Sequence, residues 1–237
     1  MTYIISHPSP SSERLRVTLA QIKHLNDLPE EAVKEIVESA SPHHFDTGQV
    51  IYLEGEPAEY VYILERGWVK ATRMTHEGRE QGLHFLRPVE IFGDNAAFTG
   101  TTYPATTTAL EATDVWMIPS ETLLALVKRF PDLALAFIHI LNERILKYIE
   151  LVEDLSLRSV EARLASTLLR NAELQDGQQV ILRREWTTFD EMAVRLGTVR
   201  DVLSRAMKTL ELEGYLKVDK QKIVILDAKE LAKRADQ

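Results

Sequence analysis

The 237-residue chain contains no cysteine. That excludes disulfides, thiol redox sensing and cysteine-held iron–sulfur clusters, and it fits a cytoplasmic protein. No apolar run reaches the ~18 residues that a membrane span needs, so no membrane partner is expected. The N-terminus lacks a basic segment followed by an apolar core, so no signal peptide is expected, and its "SHPSPSS" reads as a loose arm. Positive charge is also scarce, with 28 Lys and Arg against 36 Asp and Glu and a net charge of −8. Spread evenly, that charge would argue against a nucleic-acid partner.

It is not spread evenly. Residues 1–156 hold 13 basic and 23 acidic side chains, a balance of −10; residues 157–237 hold 15 and 13, a balance of +2. The seam marks a domain boundary and hints that the second half meets a polyanion. The hydrophobic share of 45% and charged share of 27% are those of a soluble globular protein.

"LPEEAVKEIVESA" (28–40) reads as a short helix with Asp27 as its cap. From about His43 to Ile118, β-rich runs such as "VIYLEG", "YVYILERGWVKATRM" and "GLHFL" alternate with Gly, Pro and Asp turns. This spacing predicts an antiparallel sandwich or barrel. "HEGRE" (76–80) reads as a hairpin connection at Gly78, and Gly48, Gly55, Gly67 and Gly82 as turn or strand-end glycines. Residues 120–129 form a helix, and Pro131 opens a long one to about Leu155. Along it Ala134, Ile138, Leu141, Ile145, Tyr148, Val152 and Leu155 are spaced 4, 3, 4, 3, 4, 3, a coiled-coil seam over three heptads. A second copy packed alongside would cover that stripe, so a homodimer is expected.

Residues 158–174 read as a further helix and "QQVILRRE" as a strand. Thr188 with Glu191 forms a capping box that opens a helix over 188–196. Gly197 breaks it. Thr198 with Asp201 forms another box and starts a helix that ends at Gly214. "YLKV", "DKQK" and "IVIL" then make a hairpin. Helix, glycine turn, helix and two-stranded wing is the winged helix-turn-helix arrangement, whose second helix enters the DNA major groove. Asp201, Ser204, Arg205 and Lys208 share one face of it, while Val199, Leu203, Ala206, Met207 and Leu210 are expected to pack inward. Arg205 suits guanine O6 and N7. Asp201 can accept from a cytosine amino group or hold the Arg205 guanidinium. Thr198 and Arg200 can grip phosphate, as can Lys217, Lys220 and Lys222 on the wing. Thr187 and Thr188 complete the expected DNA-binding set.

The words "EGEPAEYVYILERGWVKA", "EIFGDNAAF", "YPATTTALEATDVWMIP" and "RLGTVRDVLSRAMKTLELEGYL", spread over about residues 20–230, resemble the CRP/FNR superfamily of bacterial transcription regulators. The resemblance implies an α+β fold: an N-terminal antiparallel, jelly-roll-like β-roll, a long dimerisation helix and a C-terminal winged helix-turn-helix. The boundaries expected are a flexible N-terminal arm over 1–19 and a cyclic-nucleotide-binding-like sensor over 20–130. The dimerisation helix and hinge follow over 131–157, and the DNA-binding domain over 158–237, its helix-turn-helix at about 189–208. The resemblance also implies a palindromic double-stranded DNA partner and RNA polymerase. Asp201-x-x-Ser204-Arg205 is similar to the family's Glu-x-x-Ser-Arg reading set, associated with TTGA-like half-sites.

By the same resemblance an effector pocket is expected around Phe92, Gly93, Asp94, Asn95, Tyr103, Pro104, Ala105 and Tyr148. Relatives that bind cyclic AMP use Gly-Glu and a later Arg-Ser, the arginine neutralising the phosphate. Here the matching pairs are Gly93-Asp94 and Tyr103-Pro104. They supply no fixed positive charge, so cyclic AMP is not the expected effector, and Asp94 reads as a cap of the short helix. Effector-independent DNA binding is one reading. A haem-based or cyclic-nucleotide-responsive sensor module is the alternative, although no cysteine or histidine near 94–98 matches the ligands of CO-sensing relatives. The four-cysteine cluster of oxygen-sensing relatives is impossible. No metal site is expected. Adjacent His43-His44 does not make the metal set of a cupin, and there is no nucleophile–base constellation or phosphate loop, so an enzyme is not expected.

Overall fold

The structure is a computed structural model and describes residues 10–78, 80–175, 177–182, 184 and 188–236. The chain divides into two compact units. The first runs to Arg73 and from Leu83 to Arg144; the second takes Met74 to Gly82 and everything from Ile145.

The first unit opens with α1 (Pro10–Gln21) and α2 (Glu30–Ser39). The arm expected over 1–19 is therefore helical from Pro10, because Leu15 and Leu19 on one face of α1 are buried in the core. Asp27 does not cap α2: its N-cap residue is Pro29, with no side-chain capping bond. Eight strands follow: β1 (Ser41–Phe45), β2 (Val50–Tyr52), β3 (Tyr60–Arg66), β4 (Val69–Met74), β5 (Glu80–Leu86), β6 (Ile91–Phe92), β7 (Thr106–Ala109) and β8 (Thr113–Pro119), with the short helix α3 (Asp94–Thr99) between β6 and β7. They form two four-stranded sheets, β1-β8-β3-β6 and β2-β7-β4-β5, and every described pairing is antiparallel. This is the β-roll.

Strand β3 explains the layering. It is buried from Val61 to Leu64, so both of its faces are covered. Because side chains alternate across a strand, Tyr62 and Leu64 join the roll interior with Phe45, Tyr52, Val69, Leu86, Phe92 and Val115. Val61 and Ile63 point the other way. With Trp116 and Ile118 of β8 they meet Leu15, Leu19, Ile36 and Leu123, the last from α4 (Ser120–Arg129), and Leu133 and Phe137 of α5 (Pro131–Leu157). Register between β3 and β8 places Ile63 opposite Trp116 and Tyr62 opposite Met117, which keeps the two sets on their own faces. Helix α5 has 27 residues and is about 40 Å long.

The second unit contains α6 (Val160–Arg170), β9 (Glu173–Gln175), β10 (Gln178–Leu182), α7 (Phe189–Leu196), α8 (Arg200–Leu212), β11 (Leu216–Val218), β12 (Lys222–Ile225) and α9 (Ala228–Ala235). The helix expected over 158–174 stops at Arg170, where Asn171 adopts a non-helical conformation as its C-cap. The hairpin β11–β12 is extended by β10 and β9 into one antiparallel sheet. Leu164, Leu168, Leu203, Met207, Leu210, Leu216, Ile223 and Leu231 form the core.

Gly67 turns β3 into β4 with φ of 97°, in the left-handed region that disfavours side chains. A Cβ there would collide with Thr113 Oγ1 and lie 2.8 Å from the Ala112 carbonyl. Gly67→Ala is therefore expected to destabilise the chain by roughly 2–5 kcal/mol. Denaturant unfolding measures it, and an unchanged midpoint would mean that this turn relaxes freely.

Candidate nucleic-acid interface and sensor pocket

In the second unit, Thr188 Oγ1 accepts a hydrogen bond from the Glu191 N–H at 3.2 Å and starts α7 as expected. Gly197 ends it with φ of 62°. The Leu196 carbonyl accepts from the Arg163 guanidinium at 2.5 Å, and the Thr198 N–H returns to the Ala193 carbonyl at 2.9 Å. A Cβ at Gly197 would meet Leu155 Cδ2 at 2.5 Å and Gln81 Oε1 at 2.8 Å, so the turn has no room for a side chain.

Helix α8 starts differently from the expectation. Its N-cap residue is Val199, with no side-chain capping bond, so the Thr198 box does not form. Val199 is 55% exposed rather than packed inward. The rest of the amphipathic pattern holds. Leu203, Ala206, Met207 and Leu210 are buried, and Asp201, Ser204, Arg205 and Lys208 are exposed on the opposite side. Arg205 Nε donates to the Asp201 backbone carbonyl at 3.3 Å, not to its carboxylate. Arg200 pairs with Asp190 of α7 at 3.0 Å. Thr198 is half-buried at the turn; Lys217 and Lys220 on the wing are exposed and Lys222 half-buried. Thr187 lies outside the described residues. At the expected hinge, Asp154 is buried and holds Arg158 and Arg170 at 2.9 Å each, tying the end of α5 to α6.

The expected dimer seam is divided by exposure. Ile138, Ile145 and Val152 are more than half exposed, Tyr148 and Leu155 are each 38% exposed, and Ala134 and Leu141 are half-buried. Leu135, Leu146 and Ile149 are also exposed and widen the stripe beyond the seven expected positions.

In the first unit the expected effector pocket is filled by its own side chains. Phe92, Tyr103 and Ala105 are buried, Asp94 is 0% exposed, and Asn95 and Pro104 face solvent. The Tyr103 ring stacks on Tyr52 with centroids 3.8 Å apart, and Tyr62 stacks on Phe92 at 4.9 Å. The Tyr103 hydroxyl donates to the Tyr60 carbonyl at 2.6 Å and accepts from the Tyr60 N–H at 3.2 Å. Its backbone is pinned as well, the N–H donating to Glu56 and the carbonyl accepting from Gly55, both at 2.9 Å. Asp94 is not a helix cap, since Gly93 occupies that place. Its Oδ1 accepts from the Arg144 guanidinium at 2.9 Å, and the second guanidinium nitrogen donates to the Ile91 carbonyl at 2.9 Å. Removing one partner from such a buried pair costs roughly 3–5 kcal/mol.

Among the described residues, no group of His, Asp and Glu is arranged to hold a metal ion, and no helix is long and apolar enough to cross a membrane. The residues present do not fit a cyclic nucleotide. Tyr103 and Pro104, at the positions the resemblance assigns to the phosphate clamp, carry no positive charge, and the buried carboxylate of Asp94 already has a guanidinium.

A β-roll, a long helix and a winged helix-turn-helix together define a class of DNA-binding transcription regulators. Residues 42–130 match the cyclic nucleotide-binding domain and residues 162–234 match the Crp-like helix-turn-helix domain. The chain is 26% identical to the CRP-like cAMP-activated global transcriptional regulator of Mycobacterium tuberculosis over 209 residues, covering 86% of this chain and 92% of that protein. It is 29% identical to the global nitrogen regulator of Synechocystis over 188 residues, covering 76% and 82%. A CRP/FNR family regulator from Thermus thermophilus superposes with a TM-score of 0.64 at 27% identity, covering 83% and 99%. FixK2 from Bradyrhizobium japonicum shares the fold, with a TM-score of 0.72 at 22% identity, covering 82% and 96%. The chain belongs to the CRP/FNR superfamily and is a DNA-binding regulator.

Sequence reading missed Arg144, Arg163, Tyr52 and Tyr62. Arg144 had a visible signal: it extends the buried face Leu133, Phe137, Ile140 by one more helical step. The others depend on partners far away in the chain.

Burial raises the phenol pKa of Tyr52, Tyr62 and Tyr103 above the ordinary value near 10. Their raised folded values contribute stability that is complete below pH ~10 and is lost as pH rises beyond it. The absorbance of phenolate at 295 nm is expected in two phases, with these three ionising in the later one, together with loss of the roll's circular dichroism. A single phase in a folded protein would contradict the burial.

Proposed function

We propose that the chain works as a homodimer that binds palindromic DNA in a sequence-specific way and contacts RNA polymerase, without cyclic AMP as its effector. The observation that carries this reading is the exposed set Asp201, Ser204, Arg205 and Lys208, standing back to back with the buried set Leu203, Ala206, Met207 and Leu210 on one 13-residue helix. One side anchors α8 and the other is free to meet base edges. Arg205 reads guanine by two hydrogen bonds, and Ser204 serves a base or a phosphate. Asp201 in place of the family's glutamate is one methylene shorter, which shifts the preference at its base within a TTGA-like half-site. Thr188 and Thr198, the wing lysines 217, 220 and 222, and Arg200, once released from Asp190, contact the backbone.

The dimer is supported by the stripe of Leu135, Ile138, Ile145, Leu146, Ile149 and Val152, each more than half exposed on a single helix. Six large apolar side chains in water are costly, and a second copy of the same stripe covers them by two-fold symmetry. The two reading helices then meet half-sites one helical turn apart, about 34 Å.

Two experiments test this reading. Fluorescence anisotropy on a duplex carrying inverted TTGA half-sites is expected to show Arg205→Ala weakened by ~1–3 kcal/mol, with discrimination lost at one base pair. Equal affinity and selectivity would remove Arg205 from the reading set. Sedimentation equilibrium is expected to show the parent as a dimer and Ile145→Asp as a monomer; a dimeric variant would place the interface elsewhere.

A further inference from the structure

The buried ion pair of the β-roll has a place in the chain that its burial alone does not explain. Asp94 starts α3, inside the family's effector site, and its carboxylate is fully buried. Its donor comes from α5, fifty residues later in the chain. One guanidinium spans two acceptors, Asp94 Oδ1 and the Ile91 carbonyl, both at 2.9 Å. Asp94 Oδ2 is buried with no hydrogen-bond partner among the described residues. The adjoining Glu143 is tied from the other side, accepting from Lys23 at 2.9 Å and lying 3.0 Å from His24 Nε2, and these bonds hold its carboxyl down to about 2. Two successive residues of α5 are thus fastened to the first unit, immediately before the exposed stripe continues at Ile145.

We infer that Asp94 and the Ile91 carbonyl form a guanidinium site inside the β-roll, and that this chain fills it with its own Arg144 in place of a diffusible effector. The site suits a guanidinium for three reasons. Its acceptors are a carboxylate and a carbonyl, which repel a phosphate. They are spaced for the two arms of a planar fork, which an ammonium cannot span. The Asp94 carboxylate is fully buried, so its charge must be matched within the protein. The occupant is covalently part of α5, so filling the site sets the position of that helix at all times. In the DNA-binding homodimer proposed above, that is regulation by the amount of protein rather than by a ligand, and the inference rests on and deepens that reading.

The test uses the full chain and small guanidinium compounds. Arg144→Ala is expected to speed amide exchange in α5 peptides across residues 140–149 by roughly tenfold or more, because the helix loses a buried anchor. Exchange in β3 and β8 should stay at the parental rate. Ethylguanidinium at millimolar concentration is expected to bind the variant, slow that exchange again and leave the parent unchanged. Arg144→Ala combined with Asp94→Asn should not respond to it. Parental exchange in Arg144→Ala, or a loss that ethylguanidinium does not reverse, would overturn the inference. Should Arg144→Ala fail to fold, Arg144→Lys decides: intermediate exchange fits the two-armed site, and parental exchange contradicts it. DNA affinity on a palindromic duplex should follow the exchange data, falling in Arg144→Ala and returning with ethylguanidinium. If the parent binds no palindromic duplex, the regulatory reading fails by itself, while exchange and rescue still judge the guanidinium site.

Discussion

The architecture follows from how α5 divides its two faces. Leu133, Ala136 and Phe137 are buried against the β-roll's outer face with Val61, Ile63 and Ile118. Once that face is fixed, the 3.6-residue repeat dictates which side chains remain outside: Leu135, Ile138, Ile145, Ile149 and Val152. The exposed stripe is therefore a consequence of the packing of the helix's first half. Arg144 belongs to the buried side of the same division. It lies one helical step beyond Ile140, where apolar packing gives way to the carboxylate of Asp94 and the carbonyl of Ile91.

The interior of the roll is packed with aromatic rings rather than lined by a cationic clamp. A buried phosphate needs a positive charge beside it; an aromatic ring needs only neighbours of the right shape. Tyr103 supplies the ring, stacks on Tyr52 and satisfies its one hydroxyl with both backbone groups of Tyr60. The volume is filled at little electrostatic cost. The fully buried carboxylate, Asp94, is matched by Arg144 of the same chain.

The sequence carried the parts of this structure that are local. The alternation of β runs and turns, the Thr188 cap, the Gly197 break and the inward set Leu203, Ala206, Met207 and Leu210 are all patterns within a dozen residues. What it did not carry depends on distant partners. Thr198 has the spacing of a cap, yet its N–H is drawn back to Ala193 by the end of α7, and Val199 takes the capping position instead. Residues 10–19 look like an arm because Pro, Ser and charge dominate the local composition; Leu15 and Leu19 find their partners only in the folded core. The seven-position seam follows ideal heptads, but the β-roll claims Ala134 and Leu141 for partial burial and shifts the free stripe toward Leu135 and Ile149.

The missing cap of α8 bears on how the reading helix would work. A helix whose first residues lack a side-chain acceptor leaves N–H groups pointing outward along a positive dipole. In a protein that never met an anion this would be a small, uncompensated loss. Here the turn before α8 is held from behind by other means: Arg163 grips the Leu196 carbonyl, and Leu155 crowds Gly197. The geometry of the turn does not need the cap, so the start of α8 goes without a side-chain acceptor, and Val199 keeps its exposed position without disturbing the core. The turn is braced by Arg163 of α6 behind it, while Asp201, Ser204, Arg205 and Lys208 in front stay exposed, as the proposed DNA contact requires.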